Sequence, residues 1–102
     1  MKTKTNHPMI PEKFDIEITL DDLAKGDRNN AFSGPVSLSV VRALNLSPTS
    51  FVSVNDKTIL VQFPRDSAIY TTPLELADLL RSFNMGDTGG VRPGKFNLAR
   101  YA

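Results

Sequence analysis

Ser33-Gly34-Pro35-Val36-Ser37-Leu38-Ser39-Val40-Val41-Arg42-Ala43-Leu44-Asn45 is the stretch on which the fold of this 102-residue chain turns. Val36, Val40 and Leu44 stand at i, i+4 and i+8, with Leu38, Val41 and Ala43 widening the apolar stripe and Arg42 as its one charge. That spacing is the signature of a buried helix. Pro35 suits the first helical position, where a missing N–H costs nothing, which leaves Gly34 as the N-cap. Asn45 tolerates the left-handed conformation that ends a helix, and Pro48 forbids continuation. Serines and β-branched valines lower the intrinsic propensity, so this helix is expected to form because other elements cover it.

Outward from that helix, the preceding residues Phe14-Asp15-Ile16-Glu17-Ile18 alternate apolar and acidic, the period of a strand with one wet face. A short helix follows over Thr19 to Gly26, with Thr19 as cap, Asp22 completing a capping box and Gly26 at the stop. The adjacent carboxylates Asp21 and Asp22 diverge by about 100° on a helix, so capping and solvation explain them better than acid–base chemistry. On the other side, Phe51-Val52-Ser53-Val54 and Thr58-Ile59-Leu60-Val61-Gln62-Phe63 flank a turn at Asn55-Asp56-Lys57. Val52, Val54, Ile59, Val61 and Phe63 then share one face in a hairpin. Residues 64–71 read as a connection to a third helix, with Thr72 as N-cap, Pro73 at the first position, Glu75 as the capping-box acid, and Leu76, Leu80 and Phe83 as the buried stripe up to Gly86. Lys95 to Arg100 closes the chain as a strand with Phe96 and Leu98 inward.

Hydrophobic residues make up 40% of the chain and charged residues 23%, values of an ordinary globular domain that exclude a wholly disordered or collagen-like one. One hundred and two residues supply a single core. No apolar run is long enough to cross a membrane, and Met1-Lys2-Thr3-Lys4-Thr5 leads into Asn, His and Pro where a signal peptide would be apolar. With no cysteine, the chain lacks thiol chemistry and cysteine-held metals, and a cytoplasmic location is expected. Residues 1–13, which hold the lone His7, read as a flexible arm, and residues 14–102 as one globular domain.

Twelve basic and eleven acidic side chains give a net charge of +1, too little to mark a nucleic-acid or membrane binder. Only the C-terminal segment is locally positive. There Gly89-Gly90-Val91-Arg92-Pro93-Gly94-Lys95 matches G-x-x-x-x-G-K in the wrong context, after a helix and before a strand, with Phe96 where Ser or Thr would hold Mg²⁺. Gly86, Gly89, Gly90, Arg92, Lys95 and Arg100 remain candidates for weaker anion or partner binding. One histidine and no cysteine leave no arguable nucleophile and base pair, so neither an enzyme, a cofactor nor a metal site is expected.

Three segments, Ile16 to Arg28, Pro35 to Val40, and Ala77 to Gly86 leading to Val91-Arg92-Pro93-Gly94-Lys95-Phe96, resemble small proteins of phages and bacterial genomes that have no assigned activity. Those proteins open with a strand and short helix, continue with a C-P-I-A-L-A-L helix start, and close on F-D-x-G-x-x-V-x-P-F-x-F. This chain departs at Gly34 for the cysteine, Asn84 for the aspartate and Gly94 for the aromatic. The resemblance implies a viral accessory protein.

The expected fold is therefore α+β, with about four strands in a mostly antiparallel sheet and three helices packed on one face, in the order β-α-α-β-β-α-β. The expected function is non-catalytic binding of a host protein, such as an anti-defence role, with binding of nucleic acid or nucleotide phosphate through the basic glycine-rich segment as the alternative. Free strand edges also make a homodimer through an edge strand an expectation.

Overall fold

Alternating residues become strands and i, i+4 stripes become helices throughout. The computed structural model describes residues 10–30, 32–86 and 91–101. Its elements are β1 (Lys13–Ile18), α1 (Leu20–Lys25), α2 (Pro35–Leu44), β2 (Phe51–Val54), β3 (Thr58–Gln62), β4 (Ser67–Thr71), α3 (Leu74–Met85) and β5 (Gly94–Arg100). The strands form one antiparallel sheet in the order β1-β5-β4-β3-β2. The α+β class with three helices is as expected, while the strand count rises from about four to five.

The additional strand is β4. Residues 64–66 are a tight turn, not the start of a long connection: the Phe63 amide donates to the Asp66 carbonyl at 2.7 Å, and the Asp66 carboxylate accepts from the Ser67 amide at 2.8 Å. From that turn β4 pairs with β3 from Gln62↔Ser67 to Thr58↔Thr71 and buries Ala68 and Tyr70.

The sheet consists of two ladders with a narrow seam. β1 and β5 pair from Lys13↔Ala99 to Ile18↔Gly94, and β2, β3 and β4 form a continuous meander. Between β4 and β5 the strand pairs are Tyr70↔Arg100 and Thr71↔Ala99, and just past β5 the Tyr101 amide donates to the Ile69 carbonyl. So short a seam lets the sheet curl, and α2 packs against both β1 and β2, the two outermost strands. The inward residues of those strands are shut off: Ile18 is 0% and Val52 1% exposed.

One face of the sheet carries the core. Ile16, Ile18, Val52, Val54, Ile59, Val61, Ala68, Tyr70 and Leu98 meet Val36 and Val40 of α2 and Leu76 and Leu80 of α3, with Leu23 of α1 at the margin. On α2 the buried face is rotated from the expected one. Ser37 and Ser39 are buried whereas Val41 and Ala43 face solvent. A serine is tolerated there because the Ser39 hydroxyl donates back to the Val36 carbonyl at 2.7 Å.

Helix ends follow the sequence with two differences. The Thr19–Asp22 capping box, Gly34 before Pro35, left-handed Asn45 (φ 50°) and left-handed Gly86 (φ 82°) are all present. At α3, Pro73 is the N-cap and no side chain caps it. Thr72 is drawn away: buried, it donates its hydroxyl to the Asn55 carbonyl at 3.0 Å and its amide to the Lys57 carbonyl, clamping the end of β4 to the β2–β3 turn. The second difference is Gly26, whose backbone is extended (φ −67°), so the glycine is not there for a left-handed turn. It is there for space, since a Cβ would lie 2.6 Å from the Pro35 nitrogen and 2.8 Å from the Asp22 carbonyl.

The segment read as an arm is held at its inner end. Ile10 packs on the core, the Pro11 carbonyl accepts from the Tyr70 hydroxyl at 2.6 Å, and the Glu12 carbonyl accepts from the Arg100 amide. His7 and the rest of residues 1–9 lie outside the described residues.

Because both atoms facing the Gly26 Cβ are rigid backbone, Gly26→Ala should cost about 1–3 kcal/mol, the range for forced overpacking, read as a lower urea midpoint. A midpoint equal to that of the parent would show that α1 and α2 can separate freely.

Candidate functional site

Three places are candidate sites: the basic C-terminal segment, the carboxylate that is buried among the described residues, and the surface clefts. Gly89 and Gly90 lie outside the described residues. Of the cations, exposed Arg92 precedes β5. Lys95 stands opposite Glu17 on the outer side of the sheet. Arg100 stands opposite Tyr70 at the far end, on the inner side by strand alternation. Lys95 and Arg100 are five positions apart along the strand, about 16 Å at the usual rise. The segment therefore spreads its charges over two faces. Gly86 serves as the C-cap of α3, and a Cβ there would sit 3.5 Å from the Arg28 guanidinium.

Arg100 does touch the core through electrostatics. Burial pushes the Tyr70 phenol above its ordinary value, and the Arg100 charge pulls it the other way. The phenol's short bond to Pro11 and its edge-on contact with Phe14, ring centroids 5.0 Å apart, make it a structural anchor.

Asp22 is the buried carboxylate, 3% exposed. Arg42 donates to its Oδ1 at 2.9 Å and to its Oδ2 at 2.7 Å, and the same guanidinium donates to the Glu17 carbonyl at 2.6 Å. Asp22 also accepts from the Thr19 amide while its own amide donates to the Thr19 hydroxyl. One charge pair thus ties α1, α2 and the end of β1 together. The Arg42 hydrogen bonds hold the Asp22 carboxyl below the ordinary aspartate value of 3.8, against the opposing cost of burial. The expected solvation of Asp22 is overturned by Arg42, twenty residues on, a partner that helix periodicity cannot see. Both Asp22 carboxylate oxygens are bonded within the protein, and the pair joins α1, α2 and β1 as a structural link.

The larger cleft opens at the C-terminal end of α2. It encloses about 640 Å³ between Ile10, Leu44 and Leu46 on one side and Phe63 and Pro64 of the β3–β4 turn on the other. Its rim is polar: Asn45, Ser47, Ser50, Arg65 and Asp66. Ser47 is tied to Thr49 and Ser50 through hydroxyl contacts at 3.1 and 3.0 Å, which fixes the rim without filling the cleft. Sequence reasoning missed this site because its floor comes from residues next to breakers. Ile10 precedes Pro11, Leu46 follows the helix stop and Phe63 precedes Pro64. The available signal was that each is a large apolar residue at a terminus of an element, where a side chain faces the end of the core instead of its centre.

A second cleft, of about 480 Å³, lies at the other end of α2, where Asn29, Asn30, Asn55 and Asn84 gather with Asp56 and Arg81. Asn29 and Asn84 bond to each other there, the Asn29 amide donating to the Asn84 side-chain oxygen at 2.9 Å. Arg81 is paired with Asp78. Among the described residues no group of three or more His, Cys, Asp or Glu is placed to hold a metal ion, and no helix is long and apolar enough to cross a membrane. Compared with protein-family models, curated proteins and solved structures, the chain has no match.

The Asp22–Arg42 link sets a pH dependence. A carboxyl held low by folding contributes stability that is complete above its unfolded value of about 3.8 and is lost as pH falls through the lower folded value. Arg42→Met should lower the urea-derived stability at pH 6 by about 2 kcal/mol. It should also flatten the loss between pH 5 and pH 3, where parent and variant should converge, ranges set by ordinary aspartate titration of about 4. Parallel pH curves would show that the pair contributes nothing specific.

Proposed function

We propose that this chain is a non-catalytic binding domain that grips a partner protein through the cleft at the C-terminal end of α2. The observation that supports this reading is the anatomy of that cleft: an apolar floor of Ile10, Leu44, Leu46, Phe63 and Pro64 inside a ring of polar residues. Interfaces that depend on one anchoring side chain are built this way, with the desolvated centre supplying affinity and the rim excluding water. The volume, about 640 Å³, admits one or two large side chains of a partner.

In keeping with the resemblance to phage-encoded proteins, the partner in this proposal is a host protein met in the cytoplasm, whose activity is modulated by occupation of its surface. Nucleic-acid or phosphate binding through Arg92, Lys95 and Arg100 is the weaker reading, because the strand register sets Lys95 and Arg100 on opposite faces.

The experiment is capture of proteins from bacterial lysate on the full chain, with and without nuclease, repeated with Leu46→Glu in the floor and Ser47→Arg on the exposed rim. A stoichiometric protein partner should be retained through nuclease treatment and lost with both variants, and Ser47→Arg, exposed and outside the core, should lose it with a urea midpoint close to the parent's. Retention of the partner by both variants, or a partner that disappears with nuclease, contradicts the proposal.

A further inference from the structure

One wall of the larger cleft comes from a segment that lies outside the sheet. The six residues of β1 pair with β5 along their whole length, beginning at Lys13↔Ala99. Ahead of that ladder the chain bends at Glu12, and Ile10, Pro11 and Glu12 belong to no strand. Among the described residues two hydrogen bonds tie this segment down: the Glu12 carbonyl accepts from the Arg100 amide at 2.7 Å, and the Pro11 carbonyl accepts from the Tyr70 hydroxyl at 2.6 Å. Pro11 has no amide of its own to donate. The third hold is apolar, since half-buried Ile10 packs against the core and lines the cleft at the end of α2. The facing wall is secured separately, Phe63 by its amide bond to the Asp66 carbonyl.

We propose that Ile10-Pro11-Glu12 is a releasable strap, latched by the Tyr70 hydroxyl, which peels back to the Lys13↔Ala99 pair, lifts Ile10 from its seat and widens the cleft. Three features make this motion local. The β1–β5 ladder starts behind the strap and stays paired when it lifts. The Tyr70 ring keeps its place without the bond, through its edge-on contact with Phe14 at 5.0 Å. The two carbonyls that lose their donors reach water, because Glu12 is exposed and Pro11 half-buried. Segments held by so few contacts open at a lower free energy than the core they rest on. The cleft then has two forms, a closed one with Ile10 seated and an open one whose vacated seat fits an aliphatic side chain. A ligand that needs the open form binds with its affinity scaled by the fraction of molecules that is open. The strap thereby regulates entry to the cleft, a use that rests on the binding role proposed above, whereas the opening itself is measured with no partner present.

Native-state hydrogen exchange of the full chain at several low urea concentrations tests the strap. Its reporter is the Arg100 amide, which is freed when Glu12 leaves. In the parent, Arg100 should exchange through a smaller opening free energy, and with a weaker urea dependence, than Leu60 and Val61 of β3, a strand paired on both sides. Tyr70→Phe removes the latch and keeps the ring, and should speed Arg100 exchange about fivefold, the effect of one hydrogen bond, with the urea dependence still weak. Ile10→Ala, which loosens the apolar hold without touching Tyr70, should speed it as well. Exchange of Arg100 with the same free energy and urea dependence as Leu60 and Val61 would mean that the strap leaves only with the whole domain, and overturns the proposal. So does an Arg100 rate left unmoved by either variant, the result for fraying of β5 beneath a strap that stays latched.

Discussion

The contact on which everything else depends is made by Val36 and Val40, two fully buried residues of α2 that lie between the first and last strands of the sheet. A five-stranded antiparallel sheet with a two-pair seam has little of its own to hold its halves in register. By packing on both outermost strands, α2 converts an open sheet into a curled one with a closed interior. Each buried valine contributes about 1.5–3 kcal/mol, and here that burial is gained only if both ladders are in place.

Polar groups then fix where α2 sits. At its flank Arg42 joins Asp22 of α1 to the Glu17 carbonyl of β1, so a single guanidinium locks the helix against the strand it covers. At its start the absence of a Cβ on Gly26 lets α1 end directly against Pro35. Elsewhere the same logic recurs at longer range, with Thr72 bonded to Asn55 and Tyr70 to Pro11. The two clefts lie at opposite ends of α2 because a ten-residue helix is too short to seal both ends of the closed sheet. One end has an apolar floor with a polar rim, and the other gathers four asparagines among apolar and charged neighbours.

Much of this was legible locally. Helical spacing located α2 to the residue, the Thr19–Asp22 box set α1, and period-two alternation placed β1, β2, β3 and β5. What failed depended on distant partners. Ser67-Ala68-Ile69-Tyr70-Thr71 is a strand because β3 is beside it, and its short run gives only a weak periodic signal. Thr72 carries every mark of a cap, yet its hydroxyl is worth more to the Asn55 carbonyl than to the helix. Asp22 looks solvated until Arg42 is folded over it. The basic residues at the C-terminus form a cluster in one dimension and disperse in three, because neighbours in a strand point to opposite faces. Conversely, the floor of the larger cleft is scattered in sequence from Ile10 to Pro64 and converges only when the chain is closed.

Native-state hydrogen exchange on Val40→Ala tests that closure most directly. If α2 holds both halves of the sheet, the protected amides of Ile16 and Leu98 in one ladder and of Ser53 and Leu60 in the other should lose the same opening free energy. Loss of protection in one ladder alone, with the other unchanged, would contradict the account.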